Sequence, residues 1–499
     1  MVPEQAPLRD KPKEKNMQTR ITKTIFISAL FAVSSCGNMF NPGKRKDIKV
    51  ATMGNPLAFE LEDPDCNLEG EKPTFSDHVS IWMMDQSGKL REQVFDLSDV
   101  SRLGLESNGV SEALYSSEDV DHREFGLRDN FHAISQFEDT KALQALEKMH
   151  RKGSFNKINF CRPSGGYRAD SIENAALAAF VAINETNKIH DSLQIKPNIK
   201  RKLAKIKLFV HPKIFAMQSR YLKSYYVDNA FWADFKAYSL IAVLPHSQEW
   251  EDANKLRYWE TPGVFSHEYG HHIFHTYGPN FESPSKLFLY DKQLNRINSG
   301  FNEGFADLVS YFSLSARKQL NPALLLSGNA KGHQNRNIKT PSLKYESKSH
   351  QLKIPKTYNF NVVEALGSTR NYKFNQIDFE GYIIQKIHES GAIMAYVFNK
   401  LLDGYGYWND PRKKMELLIS WLHQQEYSMA LKDHLTSPDT HLESCLKSML
   451  KELDQSLTDD KKSKLSDKAR RALISEHFPY FFLKWTLGWQ FPNNHHQLN

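Results

Sequence analysis

The stretch HEYGHH at 267–272, taken with NSGFNEGFAD at 298–307, is what most constrains how this chain can fold. On a helix, residues four apart share a face, so His267 and His271 present two imidazole nitrogens to one point. Glu268 lies between them and can reach a water at that point without itself being a ligand, which is where a general base has to sit. Two imidazoles do not complete a metal site. The third donor must come from another element, and Glu303 within NEGFAD is suited to it, because the following FADLVSYF has helical apolar spacing and holds the carboxylate on a rigid element. Asp307, at i+4 from Glu303, faces the same way and can accept a hydrogen bond from the remaining ring nitrogen of a ligating His, fixing its tautomer. Such a site requires two helices to meet although 31 residues, 272–302, separate His271 from Glu303.

Other third ligands fit less well. Metal hydrolases that follow this helix with Gly and then His would need those residues where Phe274 and Tyr277 stand. A Glu about nineteen residues beyond the second His is ruled out by Tyr290. His272 is rotated by about 100° from the ligand face. His275 continues the i+4 series, but Glu303 completes the site better, so both are read as bystanders.

HEYGHH with NSGFNEGFAD resembles the thermolysin family and the related fungalysins, in which the Glu of the second segment binds zinc and the Asp supports it. The resemblance extends to Asn229-Ala230-Phe231-Trp232, similar to the edge strand that binds the substrate backbone, and to IHESGAIMAYVFNKL at 387–401. It implies an α+β, two-lobed metallopeptidase with a β-rich N-terminal lobe and a helical C-terminal lobe, over roughly 172–450. It further implies Zn2+ held by His267, His271 and Glu303, with Glu268 as base and Asp307 behind the ligands. Asn229 and Ala230 would bind substrate and His388 would stabilise the oxyanion. The mechanism expected is hydrolysis of a peptide bond by water that the metal activates, Glu268 taking the proton and passing it to the leaving amine.

The chain also departs from that pattern. The spacing between the ligand helices exceeds the thermolysin spacing by about a dozen residues, so a loop is inserted where the family places a catalytic Tyr, and Tyr277 and Tyr290 both remain open for that role. For the Arg that contacts the substrate carbonyl, Arg370 is the nearest candidate. Calcium, common in the family, leaves no clean ligand run here.

From Met17 the chain reads MQTRITKTIFISALFAVSSCGN, with Arg20 and Lys23 before an apolar core at Ile25 to Val33 and small residues before Cys36. This resembles a bacterial lipoprotein signal, which implies cleavage and a lipid on Cys36. The apolar run of about ten residues is too short for a bilayer span of roughly twenty. The expected location is outside the cytoplasm on a membrane, the outer membrane or cell surface, since Gly37 is not the Asp associated with retention. Residues 1–35 carry six basic and three acidic side chains, so the formal charge falls from +7 to +4 without them, too mild a balance for nucleic acid. One disulfide is then open to the chain, and Cys66 with Cys161 is the expected pair.

The organisation follows. Residues 1–35 form the upstream and signal segment and 36–47 a stalk; 48–165, with strand-like runs such as HVSIWMM, is a small N-terminal domain or a propeptide. The β-rich lobe covers 166–315, with a helix at about 172–193, strands at IKLFVHP and FKAYSLIAVLP, and the metal helix. The helical C-terminal lobe covers 316–499, with a polar insertion at 320–360. The expected function is a lipid-anchored zinc endopeptidase with a protein or peptide substrate. Two other readings share its residues: a peptidase restricted to chain ends or cell-wall peptides, and an inactive pseudopeptidase serving as a surface binding or assembly lipoprotein.

Overall fold

The computed structural model describes residues 34–35, 53–62, most of 78–121, most of 146–317 and parts of 395–423. Its centre is a six-stranded mixed sheet. The strands, numbered in chain order, are β1 (Ser34–Ser35), β5 (Val110–Tyr115), β7 (Asn156–Lys157), β8 (Ile206–Val210), β11 (Ala230–Phe235) and β12 (Tyr238–Val243), in the order β1-β11-β12-β8-β5-β7. β11 and β12 form an antiparallel hairpin, and β12, β8 and β5 run parallel. Parallel strands covered on both faces read as continuous apolar runs, and β8 and β12 supply Leu208, Phe209, Val210, Leu240, Ile241 and Val243, all buried. This sheet crosses the boundary at 165/166, since β5 and β7 come from the earlier stretch.

Smaller sheets flank the centre. β2 (Met53–Gly54), β6 (Asp119–Asp121), β9 (Lys213–Met217) and β10 (Lys223–Tyr226) form one, and β3 (His78–Met84) with β4 (Leu90–Asp96) a hairpin. β3 coincides with the HVSIWMM run.

Helix α1 (Ile172–Ser192) covers the sheet. Ser171 caps it, its Oγ accepting the Asn174 N–H at 3.0 Å, and the Glu173 carboxylate in the first turn accepts the Glu62 N–H at 2.9 Å. Asn174 Oδ1 accepts the Trp82 N–H at 3.1 Å, so the β3–β4 hairpin is fastened to the same helix.

Helix α2 (Pro262–Tyr277) carries HEYGHH and starts on Pro262, whose fixed φ and missing N–H suit a first turn. Helix α3 (Lys292–Ala316) carries NEGFAD and lies antiparallel to α2, with Ser310 Oγ on Gly263 O at 2.8 Å near one end and Phe305 against Phe274 near the other. Where they cross, a Cβ on Gly270 would stand 2.7 Å from the Ala306 Cα, so only glycine allows this approach. Helix α4 (Pro411–His423) packs on both, and its Glu416 accepts the Gln194 N–H at 3.2 Å. No helix among the described residues is long and apolar enough to cross a membrane.

Candidate active site

The close crossing of α2 and α3 brings the separated motifs together. His267 Nε2 and His271 Nε2 lie 3.0 Å apart. The Glu303 carboxylate closes the third side, Oε2 at 3.4 Å from His267 Nε2 and Oε1 at 3.9 Å from His271 Nε2. A tetrahedral ion with bonds of roughly 2 Å holds its donors about 3.3 Å apart, so these separations suit one small divalent cation.

The other ring nitrogens fix which atoms face the centre. Asp307 Oδ1 lies 2.8 Å from His267 Nδ1. Asn302 Oδ1 lies 2.9 Å from His271 Nδ1. An oxygen within 3 Å of each Nδ1 favours the tautomer with its proton there, which turns the Nε2 lone pair inward. Two lone pairs and a carboxylate meeting in a buried space repel one another unless a cation lies among them. The donor set, nitrogen and oxygen with room for three protein ligands, suits zinc.

Glu268 has a carboxylate oxygen within 4.8 Å of a ring nitrogen of both His267 and His271. Its role differs from that of Glu303, because its Oε2 accepts the Trp232 backbone N–H at 2.8 Å and so ties it to β11. His267, Glu268, His271 and Asp307 are fully buried, as is Glu303 at 1 % exposure.

β11 itself is set by a turn at Asp228, whose backbone takes φ 59, a left-handed conformation that Asp tolerates better than most residues. The Asp228 carboxylate accepts the Ser247 N–H at 2.7 Å and the Ser247 hydroxyl at 2.6 Å. Asn229 follows directly, and its buried Oδ1 has no hydrogen-bond partner. On its outer side β11 pairs antiparallel with Ser34 and Ser35.

His272 turns away from the centre and donates from Nε2 to Ala204 O at 2.9 Å; burial pushes its pKa down to about 4. Tyr277, open as the catalytic Tyr, directs its hydroxyl to His190 Nε2 at 2.9 Å and accepts the Arg201 N–H at 2.9 Å, so it joins α2 to α1 and the following loop. Burial raises its pKa.

The structure therefore gathers His267, His271, Glu303 and Glu268 around one point with Asp307 behind His267, and places Ala230 at the start of the neighbouring strand with Asn229 just before it. His388, Arg370, Tyr290, Cys36 and the cysteines Cys66, Cys161 and Cys445 lie outside the described residues, as do the stalk and the insertion at 320–360. Two residues were missed from the sequence. Asn302 precedes Glu303 and gave no signal beyond its position; Asp228 needed knowledge of a left-handed turn. Comparison of the chain with family models, curated proteins and solved structures found no match.

Proposed function

We propose that this chain is a zinc-dependent peptidase of the two-lobed thermolysin-like kind, an endopeptidase exported and anchored through a lipid on Cys36. The observation that carries this reading is the convergence of two inward-facing Nε2 atoms and the Glu303 carboxylate, beside a second carboxylate, Glu268, that is held separately. Zinc bound by His267, His271 and Glu303 would supply a water of lowered pKa and an electrophile for the scissile carbonyl.

The chain's own residues do the rest. Glu268, with Oε2 fixed by the Trp232 N–H, takes the proton from the attacking water and delivers it to the leaving amine. β11 holds the substrate as an added antiparallel strand, a mode supported by the pairing that Ser34 and Ser35 make with it. The unpaired Asn229 Oδ1 accepts a substrate N–H, which would otherwise leave a buried acceptor unsatisfied. In the same reading His388 donates to the developing oxyanion and Arg370 to a substrate carbonyl.

Zinc content by mass spectrometry and casein cleavage with and without a chelator test this directly. Glu268→Gln should keep the metal and lose turnover, whereas Glu303→Ala should lose both. A Glu268→Gln protein that still cleaves casein overturns the assignment. Peptides with free and blocked termini separate an endopeptidase from an enzyme confined to chain ends, and bound zinc without cleavage of any peptide would favour the binding lipoprotein.

A further inference from the structure

We propose that His275 is a positioning residue for this site, acting through Asp234 to latch β11 onto the metal helix and so fixing where Glu268 is held. The proposal rests on the peptidase reading for what the latch does, and on contacts alone for its existence. His275 lies one turn beyond His271 on α2, and its Nε2 stands 3.1 Å from Asp234 Oδ2. Asp234 belongs to β11, two residues from Trp232, so the two side chains leave the strand on the same face. That face is turned toward α2: the Trp232 indole packs on the rings of His275 at 5.3 Å and His272 at 6.2 Å. The other oxygen of Asp234 accepts from Ser239 Oγ, its cross-strand partner on β12. Burial alone would push the Asp234 pKa up, but the hydrogen bonds from His275 and Ser239 outweigh it and hold the carboxyl below its ordinary value.

The consequence for the site runs through one backbone group. Trp232 donates its N–H to Glu268 Oε2 at 2.8 Å, and it lies between Asn229 and the latched Asp234. β11 is fastened on its inner side by β12 along its whole length, yet its outer side meets only the two-residue β1 among the described residues. Its tilt against α2 is therefore set by side chains, among them the contacts of His275 with Asp234 and Trp232. His275 itself is about half exposed, with 54 % of its side chain accessible, so replacing it removes little packing. A shift of about 1 Å in a group of this kind can cost on the order of a hundredfold in rate.

The test compares the full chain with His275→Ala and His275→Gln, the Gln amide nitrogen standing where the imidazole Nε2 was. Zinc content, kcat and KM on an internally quenched peptide, and amide hydrogen exchange over 230–235 are measured for each. His275→Ala should keep its zinc, exchange faster over 230–235, and lose roughly ten- to a hundredfold in kcat/KM, with most of the loss in kcat. His275→Gln should recover most of both. Exchange and kcat/KM equal to the wild type in His275→Ala overturn the proposal, as does a loss that follows zinc content and that Gln does not rescue. A wild-type protein that holds zinc and cleaves nothing ends the peptidase reading instead; faster exchange in His275→Ala then upholds the latch, and unchanged exchange overturns it.

Discussion

Two buried polar clusters sit beside β11, and they differ in what their groups turn toward. Around His246 every group meets its complement: Nε2 accepts the Tyr258 N–H at 2.9 Å, Nδ1 faces Asp228 Oδ1 at 3.4 Å, and Asp228 takes up both donors of Ser247. At the crossing of α2 and α3, Asp307 and Asn302 oxygens stand behind the two rings, 2.8 and 2.9 Å from the Nδ1 atoms. At its front two lone pairs and a carboxylate point at one another. A closed network holds a turn in shape, while two Nε2 atoms and a carboxylate turned to one point fit the cation of the proposed function.

The comparison breaks most sharply at the helix crossing. Gly270→Val puts side-chain atoms where the Ala306 Cα already stands, so the helices must separate, with a cost of about 1–3 kcal/mol from overpacking and loss of the bound metal. Thermal unfolding and zinc content measure the two effects; a variant that keeps full zinc would show that the crossing does not set the ligand geometry. Asp228→Ala attacks the closed cluster. It strands the Ser247 donors and puts alanine at φ 59, which should cost about 2–4 kcal/mol in denaturant unfolding. Zinc affinity should stay as it was. If it falls, the two clusters are one cooperative unit.

The same contrast explains what could be read in the sequence. His267, His271, Glu303 and Asp307 were legible because helical spacing alone puts each pair on one face, and α1 and β3 were legible because their apolar patterns run without interruption. Asn302 was not, because its meaning depends on where the α2–α3 crossing places its neighbour. Glu268 was assigned from its place between the ligands, but its hold on Trp232 needed the sheet. His275 was set aside because spacing offered it only as a rival to Glu303 for the third position. The strand order was hidden for another reason: β5 pairs parallel to β8 across about ninety intervening residues, and long-range parallel pairing leaves no local pattern. Local rules therefore recovered what lies within a helix or a strand, and contacts between elements supplied the rest.

Asn302→Ala tests the back of the helix-crossing cluster at smaller cost. His271 would lose the acceptor that fixes its tautomer, so zinc affinity should fall by roughly 10- to 100-fold while the fold persists, measured by competition with a chromogenic chelator. An unchanged affinity would mean that packing alone orients the ring.

The smallest effect is a matter of pH and belongs beside the closed cluster. His211, at φ 49, is buried between the Phe59 and Trp259 rings at 4.6 and 4.7 Å, and neither ring nitrogen has a hydrogen-bond partner. Burial, with His246, Arg257 and Lys213 nearby, holds its pKa well below the ordinary 6.5. The folded state then resists a proton that the unfolded chain accepts freely. Below about pH 6.5 the unfolded chain binds more protons, so stability is intact above that value and declines as the pH falls. His211→Asn tolerates the left-handed backbone and cannot titrate. It should be less stable than wild type at pH 8 through lost ring packing, and the gap should narrow toward pH 5 in melting temperatures taken without metal, which removes the separate effect of acid on zinc binding. A gap that stays constant across that range would mean that the ring finds a proton acceptor, and the network around His246 would then not be closed.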